Sequence, residues 1–372
     1  MLISARSAAR PPLLSHSMDT AGPMDYRLVR VPPNRNPPVP RPVFCWDERA
    51  VPRFFGVGRG SIPGYSESSY WIDETPVPSE PIGFIPQTDS AEGTYGYWEA
   101  ASGIANDKGV MIGESTCSAI FGAKLRGSGG SALLGYMELT RIALERCASA
   151  REACQLMGDL AVEHGFAGNT ADLMGAAESL SVVDADEAWV MHVLPDDTGA
   201  SAVWAAQRLR DGHAAVVPNS FVIRGIPLEA LDSAGDGDAE GQMPTGDSKV
   251  QSSARGEAEE LRSTADEFLV SANAREVAVR AGRWQPGRPF DFSAIFSAGE
   301  PAQRYYCGRR QWRALSLFAP SRPLPADYDD LITDAPYPFS VPTDAPPTVE
   351  AMRVIMRDTF AGTRCDRPPI HT

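Results

Sequence analysis

Ser179-Leu-Ser-Val-Val183, Ala188-Trp-Val-Met-His-Val-Leu194 and Ser201-Ala-Val-Trp-Ala-Ala-Gln207 are three short runs rich in β-branched and aromatic residues. Asp184-Ala-Asp186 and Pro195-Asp-Asp-Thr-Gly199 separate them. Turn residues that close together predict adjacent antiparallel strands. Ala214–Val217 and Phe221–Arg224 continue the pattern. Two helical periodicities precede the strands. The first runs over Ser131–Cys147, with Leu133, Met137, Ile142 and Leu144 inward. The second runs over Ala150–His164, with Ala153, Leu156, Met157 and Leu160 inward and Gly165 as its stop. Helices beside an antiparallel strand cluster predict α+β layers.

Upstream lies Gly103-Ile-Ala-Asn-Asp-Lys-Gly-Val-Met-Ile-Gly-Glu-Ser-Thr-Cys117. An Asn106-to-Gly109 turn feeds the apolar run Val110–Ile112, which ends in Glu114-Ser-Thr-Cys117. Such a turn can hold an amide donor rigidly beside a strand, as an oxyanion site requires. The same residues also make ordinary hairpin turns.

The chain has 372 residues and a formal charge of −14, which argues against a general nucleic-acid binder. No apolar run reaches the length of a membrane span. Six cysteines are scattered without a Cys-x-x-Cys pair, and the five histidines include no His-x-x-x-His. Disulfide scaffold, metal site and cofactor are therefore not expected. Residues 1–40 are rich in Pro, Arg and Ser. They read as a disordered or wrongly assigned lead, or as an organelle transit segment carrying Arg6 and Arg10. They lack the apolar core of a secretory signal, and the compartment, cytoplasmic or organellar, stays open. Residues 232–260 are Gly-, Ser- and acid-rich and read as a disordered insertion. Leu261–Gly282 reads as helical. The expected organisation is a hydrolase domain in two parts, 41–231 and 261–360, followed by a tail over 361–372.

Several pieces resemble the cysteine dipeptidases of the secernin and bacterial dipeptidase A family, within the N-terminal-nucleophile hydrolases. They are Gly93-Thr-Tyr-Gly-Tyr-Trp98, Gly103–Cys117, Glu138-Leu-Thr-Arg-Ile-Ala-Leu-Glu-Arg146, Ala150-Arg-Glu-Ala153 and Glu178-Ser-Leu180. Glu187-Ala-Trp-Val190, Leu194–Gly199, Val217–Arg224 and Tyr305–Arg313 follow in order. The resemblance implies an αββα sandwich: two antiparallel sheets face to face with helices outside. It also implies hydrolysis of short peptides by acyl transfer to a Cys at the start of the mature chain. The α-amino group of that Cys serves as base, since its reference pKa of about 7.7–8.0 suits neutral pH.

Carried over by residue, Asn106 is implied as the oxyanion donor, a contact worth about 2.7–4 kcal/mol in comparable sites. Asn219 lines the site, and Arg310, favoured over Arg309, orients thiolate or substrate. Glu114 is a candidate for a substrate ammonium, and Arg309 for substrate contact. Each has a plainer reading: Asn219 as a turn cap, Arg309 and Arg310 as a solvated face on aromatics, Glu114 as a network carboxylate. Cys117, Cys147 and Cys154 read as buried apolar residues.

The chain departs from the family at its start. It has no Cys-Thr pair; Cys45 precedes Trp46, and Cys117 follows Asn106 instead of preceding it. The nucleophile is therefore unknown, and the sandwich is expected to be incomplete at both ends. The alternatives are a non-catalytic paralogue acting as a binding or secretion-linked module, and an amidase for non-peptide amides. A short peptide is the expected partner; a homo-oligomer is left open.

Overall fold

The computed structural model of the protein describes residues 1–17, 28–37, 39–44, 81–86, 93–100, 102–169, 175–235, 266–298, 306–326, 337–363 and 366. The first strands are β1 (Leu2–Ser4), β2 (Leu13–Ser15), β3 (Val29–Val31), β4 (Arg41–Val43) and β5 (Gly83–Ile85). Then come β6 (Tyr97–Glu99), β7 (Gly103–Asn106) and β8 (Met111–Cys117). Helices α1 (Tyr136–Arg146) and α2 (Ala150–His164) lead into β9 (Ala177–Val183), β10 (Ala188–Pro195), β11 (Ala202–Arg208) and β12 (His213–Val216). Helix α3 (Leu228–Gly235), β13 (Phe268–Val270), α4 (Ala274–Arg280) and α5 (Phe292–Phe296) come next. Helix α6 (Tyr306–Phe318), β14 (Ser340–Pro342) and α7 (Val349–Met356) complete the described elements.

Two antiparallel sheets organise the molecule. The larger has the order β13-β11-β10-β9-β8-β7-β6-β3 and the smaller β14-β12-β1-β2, with β4-β5 as a separate pair. Alternation along the strands sorts their side chains between two interfaces. Leu180, Val182, Trp189, Met191 and Trp204 share a core with Leu139, Ile142, Met157 and Leu160 of α1 and α2. On the other face Val183, Val190, Ile3 and Ala215 pack together between the sheets. Leu2 and Val216 then meet Leu315 and Phe318 of α6 and Met352 of α7. The fold is α+β, with two antiparallel sheets and flanking helices. Burial on both faces explains why β10 reads as a nearly unbroken apolar run, while β9 carries the buried polar residues Glu178, Ser179 and Ser181.

Local chemistry accounts for the helix ends. Ser149 caps α2, accepting from Glu152 N, while the Glu152 carboxylate accepts from Ser149 N, so a capping box starts the helix where its sequence predicts. A Cβ at Gly158 would overlap the Trp204 ring, so glycine there lets α2 sit close on β11. Helix α1 begins later than Ser131, because Leu133 N and Leu134 N bond to the carbonyls of His164 and Gly165 instead.

A buried ionic network ties α1 to its neighbours. Arg41 on β4 donates to Glu138 at 2.8 Å and to both oxygens of Glu145 at 2.7 and 2.9 Å. Arg141 bonds Glu99 of β6 at 2.9 Å and Glu138 at 3.1 Å. Burial would push the Arg41 guanidinium down, but the charges of Glu145 and Glu138 outweigh it and leave it above its ordinary range.

Three expectations are corrected. Residues 1–40 are not a disordered lead throughout: β1, β2 and β3 lie in them, and β1 pairs with β12 in the register Leu2↔Val216 to Ser4↔Ala214. Three-residue strands carry no readable period, and their partner is supplied from far along the chain. Within Leu261–Gly282, residues 268–270 form β13 against β11, before the helix α4. Phe221–Arg224 is not a strand either. Of the insertion at 232–260, residues 232–235 finish α3 and the rest lies outside the described residues, as does most of the 361–372 tail.

Candidate functional site

Strand β1 carries the α-amino group of Met1 to the end of β12, where it donates to Val217 O at 2.7 Å. Burial first, and then the charge of Arg310, pull this amine down from 8.0 to about 5. Glu114, Cys117 and Cys307 act in the opposite direction. The amine is therefore neutral at pH 7, with a lone pair available as a base. The Met1 side chain lies against β8: a Cβ on Gly113 would stand 3.3 Å from Met1 Sδ.

Val217 leads directly into Asn219, which holds a left-handed backbone at φ 61°. Asparagine tolerates that region better than most residues. Its backbone N–H donates to Ser115 Oγ at 3.2 Å and its Nδ2 to Thr116 O at 2.9 Å, both on β8. Its Oδ1 accepts from Arg310 Nη1 at 3.0 Å. Arg310 on α6 also donates to Pro218 O at 2.7 Å and Tyr306 O at 2.6 Å, and stacks 3.8 Å from the Tyr306 ring centroid. These partners are neutral, so they fix the guanidinium without cancelling its charge, which reaches the Met1 amine. Cys307, one turn earlier, donates its thiol to Asn219 O at 3.4 Å.

Behind Cys117 runs an ordered relay. The backbone N–H groups of Val222 and Ile223 donate to His192 Nε2 at 2.8 and 3.2 Å, so the proton sits on Nδ1. Nδ1 then donates to Ser179 Oγ at 2.7 Å, and Ser179 lies 3.1 Å from Cys117 Sγ. The Cys117 thiol donates to Ser115 O at 3.3 Å. Burial pushes His192 down to about 3, so it stays neutral and pins the 222–223 backbone beside the Asn219 loop.

Among the sequence-derived residues, Asn219, Arg310 and Glu114 gather around Met1, and two do not join them. Asn106 donates both amide hydrogens to carbonyls, Leu144 O at 3.0 Å and Cys147 O at 2.8 Å. Its Oδ1 accepts from Lys108 N and Val110 N at 3.0 Å. The oxyanion role is corrected to a structural one: Asn106 shapes the β7–β8 turn and ties it to the end of α1. Arg309, about 100° around α6 from Arg310, stacks on Phe360 at 5.5 Å instead. Asn106→Ala should lower stability by about 1–3 kcal/mol, because buried carbonyl and N–H groups lose their partners. Thermal melting checks this; an unchanged transition would contradict it.

Sequence reasoning missed Cys307, Ser115, Ser179, His192 and Glu178, and set Cys117 aside. Their signal is present but subtle: polar residues punctuating strands whose neighbours on both faces are apolar, as Ser179 and His192 do in β9 and β10.

A sequence model of peptidase family C69 matches residues 67–369, a span that includes Glu114, Glu178, Asn219 and Arg310 and leaves β1 and β2 outside it. That match covers most of the 372 residues, and with it the chain belongs to peptidase family C69, the cysteine dipeptidase family among the N-terminal-nucleophile hydrolases.

Proposed function

We propose that this chain is the body of a cysteine-type dipeptidase, an αββα N-terminal-nucleophile hydrolase, with its base and cation in place and no nucleophile at residue 1. The observation that carries this reading is the buried Met1 amine, 2.7 Å from Val217 O and within the field of Arg310. A thiol on residue 1 would pass its proton to that amine and attack the peptide carbonyl carbon. The C–N bond then breaks as the ammonium returns the proton to the leaving amine, and water releases the acyl group. Arg310, aligned by Asn219, supplies positive charge where thiolate and oxyanion develop. Met1 offers a thioether instead, which cannot shed a proton.

The chain with Met1 should therefore show no turnover of a dipeptide mixture followed by mass spectrometry. Turnover that a thiol alkylator blocks would overturn this reading and point to Cys117 or Cys307, both of which act electrostatically on the amine.

A further inference from the structure

The larger sheet is eight strands wide and the smaller one four, so among the described residues part of the larger sheet's inner face has no sheet over it. Alternation along the strands tells which side chains lie there. Val31, Tyr97 and Ile112 pack on the side of α1 and α2, where Glu99 bonds Arg141 and Asn106 bonds Leu144 O. Arg30, Trp98, Ala105 and Met111 therefore point the other way. The register sets them in one row: Arg30↔Trp98, Trp98↔Ala105, Ala105↔Met111 and Met111↔Val183. Val183, at one end, is buried between the two sheets. Gly113, next on that side of β8, is still covered, since a Cβ there would stand 3.4 Å from Leu14 Cδ1 on β2. The smaller sheet ends at β2, and beyond it the row emerges, with Met111 43% and Trp98 41% exposed. Leu28, two residues before Arg30 and on the same side by alternation, is 58% exposed.

Eight large apolar side chains are exposed among the described residues. These three share one face, while the others lie on β5, α4, α7 and the lead into β4. Single exposed apolar residues need no explanation, but a row that continues a buried core marks an interaction surface. Its residue types agree, because Trp and Met beside an arginine are enriched at protein contacts. The Arg30 guanidinium lies 5.9 Å from the Trp98 ring centroid and donates to both Asp107 oxygens at 2.7 Å.

Charge selects the occupant. The whole chain carries −14, which makes two copies repel over most of their surface. On β3, β6, β7 and the turn into β8, Glu99 is turned inward to Arg141, which leaves Arg30 and Lys108 against Asp107. With two cations and one anion on an acidic molecule, this face is where a second copy meets least repulsion. A two-fold contact brings both signs of one copy to both signs of the other, so the patch complements itself. We propose that the uncovered face of β3, β6, β7 and the start of β8 is the contact between two copies of this chain, packed about a two-fold axis with Trp98 and Met111 at its centre. A contact only a few strands wide belongs to the weak class of specific interfaces.

The test is sedimentation equilibrium of the full chain from about 1 to 100 μM, the range in which a weak dimer forms. The parent chain should be dimeric at the upper end. Trp98→Glu and Met111→Glu each place two like charges at the two-fold centre and should weaken association at least about tenfold. Val279→Glu on α4, exposed elsewhere, should leave it unchanged. Thermal melting shows whether each variant is folded. A parent chain that stays monomeric throughout, whatever else binds the face, would overturn the proposal. A dimer undiminished in a folded Trp98→Glu or Met111→Glu chain, or equally weakened by Val279→Glu, would overturn it too. If neither central variant folds, amide hydrogen exchange of the parent chain decides: residues 97–111 should be better protected at the upper concentration, and equal protection would overturn the contact.

Discussion

A Met1→Cys chain, with its new thiol on the first residue, is expected to hydrolyse dipeptides at least about 10³-fold faster than the parent chain. The gain is large because nucleophile removal costs about 10⁶ in kcat in hydrolases whose groups act as a unit. The other groups the proposal uses are the amine bonded to Val217 O, Asn219 bonded to β8 and Arg310 held by neutral partners. The pH dependence follows from the amine. Its folded value of about 5 lies below the ordinary 8.0, so it is an unprotonated base at pH 7 and becomes an ammonium as pH falls through about 5. Activity should fall along that limb. The same depression means the unfolded state binds the extra proton between about 5 and 8, so this group's contribution makes the fold more stable as pH rises across that window. Combining Arg310→Met with Met1→Cys should reduce kcat by about 10²-fold or more relative to Met1→Cys alone, the scale for losing one preorganised electrostatic contact. Rates measured between pH 4.5 and 8 check both statements; a Met1→Cys chain as inert as the parent would reject them.

The second large effect concerns stability. Arg141→Met is expected to destabilise the protein by about 3–5 kcal/mol, the cost of removing one partner from a buried ion pair. Arg141 and its partners Glu99 and Glu138 are all buried, and the carboxylates would lose the cation they share. The network joins β4, β6 and α1, so the loss should loosen the helix that carries much of the core. Arg141→Lys should cost less, since it keeps the charge but not the fork that spans two carboxylates. Urea unfolding, read as the midpoint with its slope, measures this; a variant within about 1 kcal/mol of the parent would contradict it.

The legible parts of the sequence were those with local causes. Helix α2 was readable because its period and Gly165 agree, and the structure adds a Ser149–Glu152 capping box at its start. Strands β9 to β11 were readable because short turns force neighbouring strands to pair. The illegible parts depend on distant partners. Strand β1 is three residues long and takes its ladder from β12, with Met1 bonding a carbonyl 216 residues away. Asn106 shows the same limit at a single residue. A turn asparagine beside a strand is compatible with an oxyanion donor, and what decides otherwise is two carbonyls 38 and 41 residues downstream. Arg310 donates to Asn219 at 3.0 Å, a contact made across 91 residues of sequence, whereas Glu178 and His192 lie inside strands that read as core.

The most direct test of the central claim is intact and peptide-level mass spectrometry of the Met1→Cys chain after brief exposure to a near-stoichiometric thiol electrophile. A thiol beside a neutral amine and the Arg310 guanidinium should react first, while Cys117 and Cys307 are buried and hydrogen-bonded to carbonyls. One label is expected, on residue 1, with loss of hydrolysis in proportion to labelling. A label on Cys117 or Cys307 that tracks the loss of activity, with residue 1 unmodified, would contradict it.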